Sequence, residues 1–226
     1  MPPVPSPLRW IACGAVSLAL LAAAAGVAQT RAETPPTDLT QLYERSCASC
    51  HGTDGRGRGP AADALTPKPR DFTAGVYKFR TTASGSLPTD DDLYRAVADG
   101  LPGTSMLGWK EILSDAQMRA LVGYVKQFSP RFASERATPV EVGRAVPSSP
   151  ASVEQGRAAY DALACGACHG EAGSVTDAVA VGLRDDWGHE SFAPNLTEPW
   201  AFRGGRSATD IYLRLKTGID GTPMPS

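Results

Sequence analysis

The sequence predicts an all-α protein built as two similar small domains in tandem. Three observations predict it: a constellation that occurs twice at one offset, apolar residues at helical spacing around each copy, and a proline-bearing stretch between them. The chain has 226 residues, 42% hydrophobic and 20% charged, with a formal net charge of −2. That length allows one large domain or two small ones. The balance is too apolar for a disordered tail and too even for a nucleic-acid binder. There are 23 glycines and 19 prolines, well above the usual combined share of about 12%. Such a backbone does not form many long helices, so a metal, a cofactor or disulfides must supply cohesion that a small core lacks.

Residues 1–32 read as an address. They hold no acidic residue; Arg9 precedes an apolar run from Trp10 to Ala28, and small residues stand at Gly26 and Ala28. This is the layout of an export signal. A retained N-terminal anchor is the rival reading, because the run is near the lower limit of a membrane span. Cys13 lies inside the apolar stretch and is read as one of its small residues. Export implies a periplasmic, oxidising location, with membrane attachment only through an uncleaved N-terminal segment.

The repeat is specific. Cys47-Ala48-Ser49-Cys50-His51-Gly52 recurs as Cys165-Gly166-Ala167-Cys168-His169-Gly170, and Gly100, Gly103, Thr104 and Met106 recur as Gly218, Gly221, Thr222 and Met224, both at an offset of 118. Between these ends only Asp71-Phe72-Thr73 and Asn195-Leu196-Thr197 match, and only after gaps. Two ends at constant spacing around a variable middle point to one object held at both ends. C-x-x-C-H is the attachment sequence of c-type haem. Cys47, Cys50, Cys165 and Cys168 would bond the vinyl groups of two haems, and His51 and His169 would reach the irons. Met106 and Met224 stand in glycine-bearing loops that permit close approach to a flat ring, and are the expected sixth ligands. A four-cysteine zinc site, a redox-active thiol pair or two disulfides would use the cysteines alone, and none requires the adjacent histidines. Met118 fits core filler. His189 has no counterpart in the first half and is expected at the surface or near a propionate.

On these motifs each half resembles a class I cytochrome c domain, and the chain resembles the di-haem c-type cytochromes. The resemblance implies a small helical domain wrapped around a covalently attached haem, with one haem edge left for electron exchange. Thr37–Ser46 and Ser152–Ala164 carry apolar residues at helical spacing before each motif. Thr89 and Ser207 are N-cap candidates for helices that stop near Gly100 and Gly218. Ser114 opens a capping box before Met118, Leu121, Val122, Val125 and Phe128. In the family this last helix crosses the first, with Gly123 expected on the seam. The expected organisation is an export signal or anchor at 1–32, domain 1 at 33–130, a linker at 131–151 and domain 2 at 152–226. Only two residues follow Met224, so domain 2 is expected to lack its closing helix; either the natural chain continues, the favoured reading, or domain 1 or another protein covers the apolar face of its entry helix.

The resemblance also assigns supporting residues. Pro60 matches the proline whose carbonyl accepts the second ring nitrogen of the haem histidine; domain 2 offers no counterpart at that distance. Arg70, Tyr77, Arg80 and Trp109 in the first half, with Trp200 and Arg203 in the second, are candidate propionate partners. Residues 56–80 hold six basic side chains against two acidic, whereas 174–206 hold three against five. This predicts an acidic redox partner for the first haem and a different partner for the second. The expected function is electron transfer between redox proteins without substrate chemistry. A haem subunit of a larger membrane-bound oxidoreductase is the first alternative. A di-haem peroxidase, which needs one open iron, is the second.

Overall fold

A computed structural model describes residues 38–175 and 182–226. The expected export segment lies outside the described residues. The first half begins with α1 (Leu39–Ser46), whose N-terminal amides at Thr40 and Gln41 donate to the Asp38 carboxylate. After one kinked residue, Cys47, the chain makes the short α2 (Ala48–His51). A loop with a 3-10 turn at Ala62–Ala64 leads to α3 (Asp90–Asp99), then α4 (Asp115–Lys126) and α5 (Arg131–Ser134). The second half repeats the order with α6 (Pro150–Ala162), α7 (Gly166–His169), a 3-10 turn at Pro199–Ala201 and α8 (Ala208–Thr217). Among the described residues there is no strand, only isolated bridges at Thr82–Pro139 and Arg184–Glu190.

Helix ends follow the local chemistry. Thr89, Ser114 and Ser207 cap α3, α4 and α8 with reciprocal capping boxes to Asp92, Gln117 and Asp210. Each box satisfies donors that a helix start leaves orphaned. Gly100 and Gly218 end α3 and α8 with positive φ, as expected. Ser149 caps α6 with Pro150 in its first turn, so the second half's first helix starts two residues before the expected boundary.

The core of the first half is the crossing of α1 on α4. Leu42, Tyr43, Ala48, Leu121 and Val125 are buried together, with Tyr124 and Phe128 against them. Burying a leucine or valine fully stabilises by roughly 1.5–3 kcal/mol. Gly123 is not on that seam: a side chain there would meet open space. Val122 instead joins Tyr77 and Leu93 in a neighbouring cluster, with Phe132 of α5 against it. The expected linker is therefore packed in its first part. Arg131 donates to the carbonyls of Gly75 and Gly85, and Val140 N–H donates to Thr81.

In the second half, α6 and α7 bury no residue, and α8 buries only Leu213 and Thr217. The described residues of both halves nonetheless form one compact unit, because the second half docks on the first through polar groups. Arg80, fully buried, donates to the Thr217 carbonyl and to Asp220. Arg214 donates to the carbonyls of Lys78 and Arg80. Arg95 pairs with Asp210 at 3.6 Å.

Candidate functional site

Each C-x-x-C-H segment forms one helical turn with the same bonds. In the first, Cys50 N–H and His51 N–H donate to the Cys47 carbonyl at 3.2 and 2.9 Å, and Gly52 N–H donates to Ala48. In the second, Cys168 and His169 donate to Cys165 at 3.2 and 3.0 Å, and Gly170 to Gly166. Gly52 and Gly170 then turn out of the helix at φ 76° and 79°. A tyrosine from the preceding helix pins each glycine: Tyr43 Oη donates to Gly52 O at 2.9 Å and Tyr160 Oη to Gly170 O at 2.6 Å. Neither the repeated cysteines nor the histidines suggested this pair of tyrosine anchors.

None of Cys47, Cys50, Cys165 and Cys168 is paired in a disulfide, which leaves their sulfurs available for vinyl attachment. They do not converge, and among the described residues no cluster of three or more cysteine, histidine or carboxylate groups fits a metal ion. The shared zinc site considered above is thus not formed. Burial pushes the Cys47 thiol up to about 11. Burial also lowers the His51 pKa, against the opposing Arg70 hydrogen bond, and so favours the neutral imidazole that an iron ligand needs.

The ring orientation of each histidine is set by a carbonyl. His51 Nδ1 lies 3.0 Å from Arg70 O, and the ring stacks on Phe72 with centroids 4.3 Å apart. His169 Nδ1 lies 3.1 Å from Pro194 O. A carbonyl only accepts, so Nδ1 carries the proton and Nε2 is left with a free lone pair, as a metal-ligating histidine requires. This corrects the expectation for Pro60, which is exposed and distant from this role. The loop after His51 doubles back on α2, where Gly59 and Ala61 donate to Cys50 and Ser49. The packing is so close that a Cβ on Gly59 would lie 2.3 Å from Ala48 O. Only later does the chain pass the imidazole.

The acceptors did have a signal. Arg70 and Pro194 immediately precede Asp71-Phe72-Thr73 and Asn195-Leu196-Thr197, the one match in the variable middle. In both, the Asx oxygen accepts from the threonine N–H and hydroxyl. Phe72 N–H and Leu196 N–H donate to Gly55 and Gly173 at 2.8 and 2.7 Å, tying each segment to the histidine's own loop.

The methionine loops repeat as closely. Thr104 Oγ1 donates to Leu101 O and accepts from Met106 N–H, while Leu101 N–H donates to Met106 O. Thr222, Ile219 and Met224 form the same set. Both methionines are half-buried.

The expected propionate partners divide. Tyr77 is buried, and its hydroxyl has no hydrogen-bond partner among the described residues. A buried hydroxyl normally finds one, and a haem carboxylate is a fitting acceptor. Arg80 does not fit that role. Its guanidinium is spent on Ala83 O, Tyr77 O, Thr217 O and Asp220, because it lies under the second half. Arg70 places its guanidinium 4.4 Å over the Trp187 ring, facing the second half as well. Trp109 donates its backbone N–H to Val97 O. Trp200 is 64% exposed, and Arg203 is also exposed. His189 sits in the Asp185–Glu190 turn, its Nδ1 3.5 Å from Asp185.

The two charge runs also meet each other. Burial disfavours the Arg70 charge, and the carboxylates that offset this are Asp185, Asp71 and Asp186. Arg70 and Lys78 of the basic run thus face Asp185 of the acidic run inside the molecule.

Comparison with known proteins agrees with this geometry. The sequence profile of the family described as cytochrome c matches residues 40–129. The chain is 32% identical to cytochrome c55X of Paracoccus denitrificans over 91 residues, covering 39% of this chain and 69% of that protein. It is 32% identical to cytochrome c55X of Stutzerimonas stutzeri over 114 residues, covering 49% and 80%. A chain of the Kuenenia stuttgartiensis reducing HAO-like protein complex Kustc0457/Kustc0458 superposes with a TM-score of 0.79 at 40% identity. That match covers 84% of this chain and 87% of the other, so it spans both halves. The chain belongs to the cytochrome c family, a haem-based electron-transfer protein with covalently attached haem c and two matching attachment motifs.

Proposed function

We propose that this chain is an exported, periplasmic carrier that relays electrons between redox proteins through two haems, each ligated by one histidine and one methionine. The observation that supports this reading most is the duplicated bonding pattern of the attachment turns and the methionine loops. When bound, each haem supplies a one-electron iron couple whose potential His/Met ligation raises. The chain's own residues hold the rest. Cys47 and Cys50, then Cys165 and Cys168, fasten the rings. Arg70 O and Pro194 O orient His51 and His169, and Met106 and Met224 would supply the second iron ligand of each haem. Tyr77 is assigned to a propionate of the first haem. The domains are 33–130 and 152–226, with the first part of the intervening stretch folded onto domain 1. Among the described residues no helix is long and apolar enough to cross a membrane.

A second reading is a haem subunit of a larger assembly, favoured by one observation: the solved neighbour that matches both halves is part of a protein complex. Mass measurement of the mature protein should show two added haems and loss of the N-terminal segment. Adding carbon monoxide to the reduced protein tests the closed irons. A carrier with His/Met ligation should leave the spectrum unchanged, and ready binding would overturn it in favour of peroxidase-type chemistry.

A further inference from the structure

The two methionine loops share their internal bonds but are held from outside in different ways. In the first half the chain runs on from Met106 along the end of α3. Trp109 N–H and Lys110 N–H donate to the carbonyls of Val97 and Ala98, and Lys110 pairs with Asp99 at 3.0 Å. The loop is thereby clamped by its own half. In the second half one clamp comes directly from the first half, and the other is a tryptophan that stacks on it.

At the register where the first loop has Pro102, the second has Asp220. Its Oδ1 accepts from Arg80 Nη2 at 2.6 Å and from Ser84 Oγ at 2.9 Å, and its Oδ2 accepts from Gly85 N–H at 2.8 Å. All three donors belong to the first half. Arg80 also holds the start of the loop through Thr217 O at 2.8 Å. A second clamp grips the next residue. Gly221 has φ 74°, and a Cβ there would lie 2.4 Å from the Trp187 ring. Trp187 is held against it by the Asp186 N–H bond to Gly221 O at 3.1 Å. The other partner of that indole is the Arg70 guanidinium of the first half, whose own carbonyl orients His51.

We propose that the first half holds the Met224 loop in its ligating position, with Asp220 and Trp187 as the positioning residues, so that closure of the second iron depends on docking of the halves. The proposal rests on Met224 as an iron ligand, as read under the proposed function. Its physical basis is the burial of Arg80: a guanidinium out of water keeps its carboxylate partner, because parting them strands a buried charge. Docking and loop placement are then one event. By linkage, whatever favours docking favours Met224 ligation to the same extent, and the reverse.

The test uses the full-length holoprotein and reads the thioether-to-iron charge-transfer absorption of the oxidised state and carbon monoxide binding in the reduced state. Met224→Ala should remove one site's share of the absorption; an unchanged band would sink the ligand assignment itself, not the clamp. With that share established, Asp220→Asn turns one acceptor of the Ser84, Gly85 and Arg80 donors into a donor. It should lose the Met224 share and open one iron per molecule to carbon monoxide. The Met106 share should persist, reporting a folded first half, and Asp220→Glu should restore part of the loss. Trp187→Leu, at a partly exposed ring, should shift both readouts in the same direction and serves if Asp220→Asn fails to accumulate. Full absorption and no carbon monoxide binding in both Asp220→Asn and Trp187→Leu would overturn the proposal.

Discussion

The two halves carry the same haem-holding bonds on very different supports. In the first, the attachment turn is the continuation of α1, and α1 is buried under α4 by Leu42, Tyr43, Leu121 and Val125. In the second, the same turn follows α6, which buries nothing, with Val153 and Leu163 59% and 74% exposed. Both attachment motifs have a helical turn, a tyrosine anchor and a carbonyl beside the imidazole, but only the first stands on an apolar core. What the second half lacks in apolar packing is met in part by polar docking on the first.

The halves should differ most when haem attachment is removed from one of them at a time. Replacing Cys47 and Cys50 together by serine, or Cys165 and Cys168, should each leave one haem by mass. Circular dichroism should then show the larger fractional loss of helix from the affected half in the second pair, where α6 and α7 have no buried residue to fall back on. Equal losses would mean that core packing is not what separates the halves. Next in size is Leu121→Ala, at a site 1% exposed, which should cost about 2–5 kcal/mol in denaturant unfolding. Leu163→Ala, at the exposed end of the corresponding helix, should stay within about 0.5 kcal/mol.

The tyrosine anchors sharpen the contrast at a smaller scale. Tyr43→Phe leaves a buried Gly52 carbonyl without its donor and should cost about 1–3 kcal/mol. Tyr160→Phe, in a part-buried setting, should cost about 0.5–1.5 kcal/mol. The smallest expected effect is on pH dependence. Burial, with Arg70 beside it and Arg203 also near, pushes the Lys78 ammonium down to about 8 from 10.5. The folded state therefore releases this proton first. Its contribution to stability is complete above pH 10.5, falls as pH drops towards 8, and is level below that. Lys78→Met should raise the melting temperature at neutral pH, and the gain should vanish above pH 10.5. A gain that persists at high pH would assign it to packing instead.

How far the sequence reaches depends on the span of each contact. Thr89 with Asp92, Ser114 with Gln117 and Ser207 with Asp210 are bonds between residues three apart, and all were readable as caps. The attachment turns and methionine loops are equally local. Arg80 was misread because its charge says only that it needs an anion. Asp220, 140 residues away, supplies that anion in place of a haem propionate. Pro60 was assigned by its match to the family's proline, whereas here the loop's return onto α2 leaves Arg70 O, not Pro60 O, beside the imidazole.

The sequence by itself determined the helical class, the duplicated attachment motif, the caps and the methionine loops. Each rests on hydrogen bonds closed within a few residues, so residue type and spacing suffice. The carbonyls that orient the histidines were only hinted at by the matched Asp71-Phe72-Thr73 and Asn195-Leu196-Thr197 segments, and tertiary structure alone decided that Gly123 faces open space and that Arg80 and Asp220 join the halves. Those outcomes depend on which distant segments are brought together, and a buried charge or ring nitrogen accepts whichever partner the assembled chain presents.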